Sequence, residues 1–174
     1  MVIRNRLFET IAVEQVRSFC RVGPPPRTKP GFPHAQLDQW PPRAIAEELL
    51  ARSLQLPHVR SRQSRMASPD TRALCLPDSF AGGPTEAFID GHEFCFLHPR
   101  PEFGIHLTLP KNLREDAREL GWVEPHPLTR LPGMPEALVM VYSPRDYEEL
   151  EVVFGLIKCS WQFASGSLRS SWGS

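Results

Sequence analysis

The chain lacks any window of about 18 uncharged apolar residues, the minimum for a membrane-spanning helix. Its opening, MVIRNRLFET, sets Arg4, Arg6 and Glu9 where a secretory leader needs an apolar run. Net charge is missing too: 20 Lys and Arg balance 20 Asp and Glu, so no broad field recruits nucleic acid or anionic lipid. Cysteine is sparse, and Cys20, Cys75, Cys95 and Cys159 make no C-x-x-C or other zinc spacing, so they are expected to be reduced and structural. No G-x-S-x-G elbow, P-loop or G-x-G-x-x-G occurs. Elbow-type serine hydrolases, Walker-type nucleotide binders and dinucleotide enzymes are thereby disfavoured. The expectation is a cytoplasmic protein whose partner is a small molecule, with no nucleic acid and no membrane; the oligomeric state stays open.

Proline, by contrast, is abundant: 19 residues, clustered at 24–42 in PPPRTKPGFP and WPP. Proline removes an amide donor and restricts the residue before it, so this segment should be extended and loop-like. On either side of it, Leu7, Phe8, Ile11, Val16 and Phe19 recur at helical spacing over residues 5–20, and PRAIAEELLARSLQL predicts a second helix starting near Pro42. Residues 57–72 carry four arginines, His58 and few apolar side chains; a solvated linker is expected, with a pocket lining for an anionic substrate as the sharper reading. Residues 1–71 thus form N-terminal helices and a Pro/Arg-rich linker packed on a main domain.

From Arg72 onward the pattern is dense. Strands are predicted at ALCL, EAFI, HEFCFLH, GIHLTL and ALVMVY, with a hairpin turn at Asp90-Gly91. LREDARELG predicts a helix ending at Gly121, and PRDYEELEVVFGLIKCSWQFA a long helix capped by Asp146. The fold class is α+β: a largely antiparallel sheet of about four or five strands, helices packed on one side, plus the N-terminal helices. The main domain covers 72–166, and 167–174 is expected to be a disordered tail.

Four of the six histidines fall between His92 and His126. Strand alternation puts Phe94, Phe96 and His98 on one face of HEFCFLH, and His106 and Thr108 on the same face of GIHLTL; Cys95, Leu97, Ile105, Leu107 and Leu109 face the other way. With a turn near Pro101, His98 lies across from Gly104 and Phe96 across from His106. His34 and His58, in loops, are expected to be solvated, and His92 exposed. His98, His106 and His126 are the candidate catalytic set. They could supply a general base with a hydrogen-bond partner, or hold a metal with an open position, although a spacing of 8 and 20 residues is no recognised ligand motif.

The run from Arg72 to Gly166, above all GPTEAFIDGHEFCFLHP, IHLTLP, GWVEPHPL, LPGMP, VMVYSPRDYEELEVV and SWQFASG, resembles the luciferase-domain family, which includes the luciferases of bioluminescent fungi and many uncharacterised bacterial and fungal proteins. In the fungal luciferases O2 oxygenates 3-hydroxyhispidin, a hydroxylated α-pyrone, without a recognised organic cofactor. The resemblance therefore implies an O2-dependent oxygenase of a small enolic or phenolic molecule, with no cofactor expected, a divalent metal being the lesser possibility. His106 is implied as base, with His98 and His126 positioning substrate oxygens; Phe96, Phe94, Thr108, Trp122 and Arg65 are the candidate substrate-binding residues. Should a metal be present, His98, His106 and His126 are its expected ligands. The family pattern has histidine where this chain has Phe96, which makes a non-catalytic, small-molecule-binding homologue the alternative. The N-terminal hydrophobic anchor of the fungal luciferases is expected to be absent here.

Overall fold

A computed structural model of the chain describes residues 12–168. Helix α1 spans 12–18 within that range; the remainder of the helix expected over 5–20, and nearly all of the tail, lie outside the described residues. The other helices are α2 (Arg43–Leu54), α3 (Lys111–Glu119) and α4 (Tyr147–Ser165). Six strands, β1 (Arg60–Gln63), β2 (Arg72–Cys75), β3 (Glu93–Leu97), β4 (Ile105–Thr108), β5 (Val123–Pro125) and β6 (Leu138–Val141), form one sheet in the order β1-β2-β3-β4-β6-β5. Every neighbouring pair is antiparallel. The α+β expectation holds, with one strand more than the upper count.

That difference has three local causes. EAFI is not a strand: Thr85–Ala87 forms a 3-10 turn behind Pro84, and the Asp90-Gly91 turn closes only a single bridge between Asp90 and Glu93. The edge of β3 that such a hairpin would use is already hydrogen-bonded to β2. The expected linker supplies β1, all four residues of which are exposed; a sheet edge tolerates charge and has one neighbour, so its sequence carries no apolar alternation. β5 is three residues long and ends in proline, as an edge strand can.

Helices from both ends of the chain cover one face of the sheet. Val16, Ile45, Leu49, Leu113, Leu150 and Leu156 pack there with Leu74, Cys95, Leu107 and Val139 in a single cluster. Each such side chain, taken out of water, contributes about 1.5–3 kcal/mol. Helix α4 begins, as expected, at an Asp146 carboxylate that accepts the Glu149 amide at 2.8 Å, and it ends at Gly166 in the left-handed region (φ 71°). Gly121 likewise follows α3 at φ 80°.

The opposite face is covered by loops. Ala73, Cys75, Ile89, Phe96 and Leu138 make a small second cluster there, joined by Met66 and Ala67. ALVMVY, apolar on both sides, becomes the interior strand β6 because it must satisfy both layers: Val139 and Val141 turn to the helices and Leu138 to the loop face.

Candidate functional site: a buried histidine cluster

The β3–β4 register places Phe96 opposite His106, and the His98 amide donates to the Gly104 carbonyl at 2.9 Å, so the expected pairing across the turn is realised. His106, fully buried on β4, is the hub. Its ring centroid lies 4.9 Å from that of His126, 5.1 Å from His98 and 4.6 Å from Phe96, whose ring stacks on it. The three histidines singled out from the sequence therefore meet.

A fourth arrives from the proline-rich segment. His34 is only 3% exposed, with its ring centroid 5.0 Å from His126 and 5.6 Å from His106. The segment folds into a narrow loop, with Lys29 N–H donating to the Ala35 carbonyl and Leu37 N–H to the Arg27 carbonyl. It is pinned to the sheet by Gln36, whose side-chain oxygen accepts the Ser143 amide at 2.9 Å. The expectation of a solvated His34 is thus overturned: its partner in the sheet, Glu124, lies 90 residues away in sequence, and nothing local announces that contact.

Hydrogen bonds orient three of the rings, His98 through the Thr71 hydroxyl 3.3 Å from its Nδ1. His34 Nε2 lies 2.5 Å from a Glu124 carboxylate oxygen, and the Tyr142 hydroxyl donates to the other carboxylate oxygen at 3.0 Å. With Nε2–H donating to Glu124, the His34 Nδ1 lone pair is left without a partner. His126 caps a 3-10 turn at Pro127–Arg130: its Nδ1 accepts the Leu128 amide at 3.1 Å, so the neutral ring carries its proton on Nε2. Both ring nitrogens of His106 are buried with no hydrogen-bond partner. A buried polar group without a partner costs about 1–3 kcal/mol, so these nitrogens call for a function.

Electrostatics keep His98, His106 and His126 neutral. Burial first, and then the neighbouring His98, His126 and His34, hold His106 well below the usual imidazole range. Burial likewise lowers His98, and lowers His126 to about 4. For Glu124 burial works upward, yet the hydrogen bonds from His34, Thr28 and Tyr142 prevail and hold it below the ordinary carboxylate range. Neutral imidazoles beside an ionised carboxylate are groups that accept protons or bind cations.

The remaining candidates disperse. Thr108 shares the face of His106 but is spent on the Ala87 carbonyl at 2.7 Å. Phe94 belongs to the helix-side core: between Leu74 and Cys75 the β2–β3 register shifts, Cys75 pairs with Glu93, and Phe94 is the extra residue of a bulge. Trp122 also packs on the helix side, its indole donating to the Phe19 carbonyl at 2.7 Å. Arg65 is an exposed side chain 3.6 Å from Asp90. His58 is exposed and stacks on Phe80, and His92 lies 3.2 Å from Asp78. A cavity of about 230 Å³ reaches His98 from the side of α2, bounded by Asp70, Arg72, Arg100 and Phe103.

Residues 91–160 match the luciferase domain family. Luciferases of Armillaria gallica and Armillaria ostoyae are each 34% identical to this chain over 70 residues, which is 39% of the chain, and that of Armillaria mellea is 33% identical over the same length. The chain spans about a quarter (26%) of the length of these curated relatives. No solved structure matches significantly. The matched span contains His98, His106, His126 and Phe96 but not His34. Among the described residues no helix is long and apolar enough to cross a membrane.

Proposed function

We propose that this protein is a luciferase-like oxygenase, taking O2 and a small enolic or phenolic molecule such as a hydroxylated α-pyrone, and using a histidine as base. The observation that carries the reading is that the segment matching the luciferase domain, residues 91–160, brings three of the four clustered histidines with it. The substrate's place is the cavity at His98, where the guanidinium groups of Arg72 and Arg100 suit an anionic enolate. His98, which lines that cavity, takes the enol proton in place of the fully buried His106; Thr71, whose hydroxyl is 3.3 Å from Nδ1, steadies the ring. The enolate carbon, now electron-rich, reacts with O2, and the apolar wall of Leu97, Phe103 and Leu50 shields the peroxide from water. Oxygen uptake and light emission, measured with the purified full chain and a panel of enolic pyrones that includes 3-hydroxyhispidin, test the reading; silence across the panel would sink it.

One observation favours a second reading, a homologue that binds such molecules without converting them. Phe96 stacks on His106 at the position where the family pattern has histidine. A Phe96→His variant that acquires turnover where the parent has none would decide for it.

A further inference from the structure

We propose that His34, His106 and His126 form a binding site for one divalent first-row transition-metal ion of the kind that imidazole favours, with Glu124 as the carboxylate that orients it. Among the described residues these three alone group as metal ligands, each offering a ring nitrogen within 4.8 Å of the others. All three side chains are buried. The unpartnered nitrogens are the second observation: His34 Nδ1 and both nitrogens of His106 have no hydrogen bond, and one ion would satisfy His34 Nδ1 and one nitrogen of His106 together.

Ring spacing supports the same conclusion. Three imidazoles at about 2.0–2.1 Å from a tetrahedral ion have ring centroids about 5 Å apart. The observed separations are 4.9, 5.0 and 5.6 Å, with interplanar angles of 72°, 87° and 60°.

The ligand atoms can be named for two rings. His34 binds through Nδ1, because Nε2 is held by Glu124; a histidine whose second nitrogen donates to a carboxylate is the usual outer support of a metal ligand. His126 binds through Nε2, which shifts its ring proton to Nδ1 and opens the contact with the Leu128 amide. Three neutral nitrogens leave a fourth position open for water or another small ligand. The set differs from the trio legible in the sequence by exchanging His98 for His34. It does not depend on the oxygenase reading, since ion binding is measurable on a protein that converts nothing.

The test is equilibrium dialysis of the full chain, made without a histidine tag, against Co2+ and Zn2+, with the visible ligand-field spectrum and thermal midpoint read on the same samples. One equivalent is expected, with a tetrahedral cobalt spectrum, a raised midpoint and loss of the Leu128 amide shift characteristic of the apo protein. His34→Ala should abolish stoichiometric binding, and His58→Ala should leave it intact. Should His34→Ala fail to fold, Glu124→Gln, which keeps the size of the side chain, decides, and is expected to weaken binding about 10- to 100-fold. Occupancy below about 0.1 equivalent, or one equivalent held equally by Glu124→Gln and every foldable cluster variant, overturns the site.

Discussion

Phe96 lies across the β3–β4 pair from His106 with its ring stacked at 4.6 Å, so the hub of the histidine cluster is walled on one side by a hydrocarbon face. Truncating that wall removes a buried ring next to a buried, unpartnered imidazole. Phe96→Ala is expected to cost about 3–5 kcal/mol and Phe96→Leu distinctly less, measured by urea denaturation. Phe96→His, close in shape, should fold and keep the stack on His106.

Acid should loosen the protein. His126 titrates near 4 in the fold against 6.5 as an unperturbed side chain, so between these values the unfolded chain binds more protons and stability falls as pH falls. His106 and His98 are shifted in the same direction. His126 alone contributes up to about 3 kcal/mol above pH 6.5, at 1.36 kcal/mol per unit. Thermal midpoints between pH 7.5 and 4.5 should drop, and the slope should flatten in His126→Asn.

Glu93 works in the opposite sense. It is buried at the start of β3, accepts the Ser64 hydroxyl at 2.8 Å, and burial raises it to about 7. Its neutral form is the one the fold prefers, so this contribution is complete below pH 4.5 and lost as pH rises through 7. Glu93→Gln should stabilise the protein at pH 8 by on the order of 2 kcal/mol and make the acid loss steeper. Paired denaturation curves at pH 5 and pH 8 separate the two effects.

Tyr142→Phe removes the donor to Glu124 while keeping the ring. Glu124 retains His34 as partner, so the expected cost is about 1 kcal/mol. The nuclear magnetic resonance signals of the His34 ring should shift while those of His58 stay in place.

Gly83→Ala probes the seal between the 3-10 segment and α4. A Cβ there would come within 2.8 Å of the Ala164 carbonyl oxygen, beside the point where the Gly83 amide donates to that same carbonyl. Backbone cannot yield as a side chain can, and a loss of about 2–4 kcal/mol is expected in chemical denaturation.

Much of this architecture was legible because it is local. The β3–β4 register follows from alternation and a short turn near Pro101, the meeting of His98 with His106 from that register, and the start of α4 from Asp146. Phe94 was misread for a different reason: alternation counts residues, and a bulge inserts one without changing the composition. His34 could not be found by any periodic pattern, because a proline-rich loop has none, and its burial depends on Gln36 reaching Ser143 and on Glu124. β1 escaped notice because an exposed edge strand needs no apolar residues.

The bulge at Phe94 also bears on how this chain can vary. It divides β3 into an upstream end, tied to Cys75 through Glu93, and a downstream end of Cys95, Phe96 and Leu97 paired in strict alternation with β4. A change of length upstream, in the segment between β2 and β3, can be absorbed at the bulge by adding or removing its unpaired residue. Without it, a slip of one residue would exchange Phe96 and Cys95 between the faces of the sheet and put a thiol against His106. The irregularity thus insulates the register of Phe96 and His106 from a one-residue change of length upstream, and the rings stay in place.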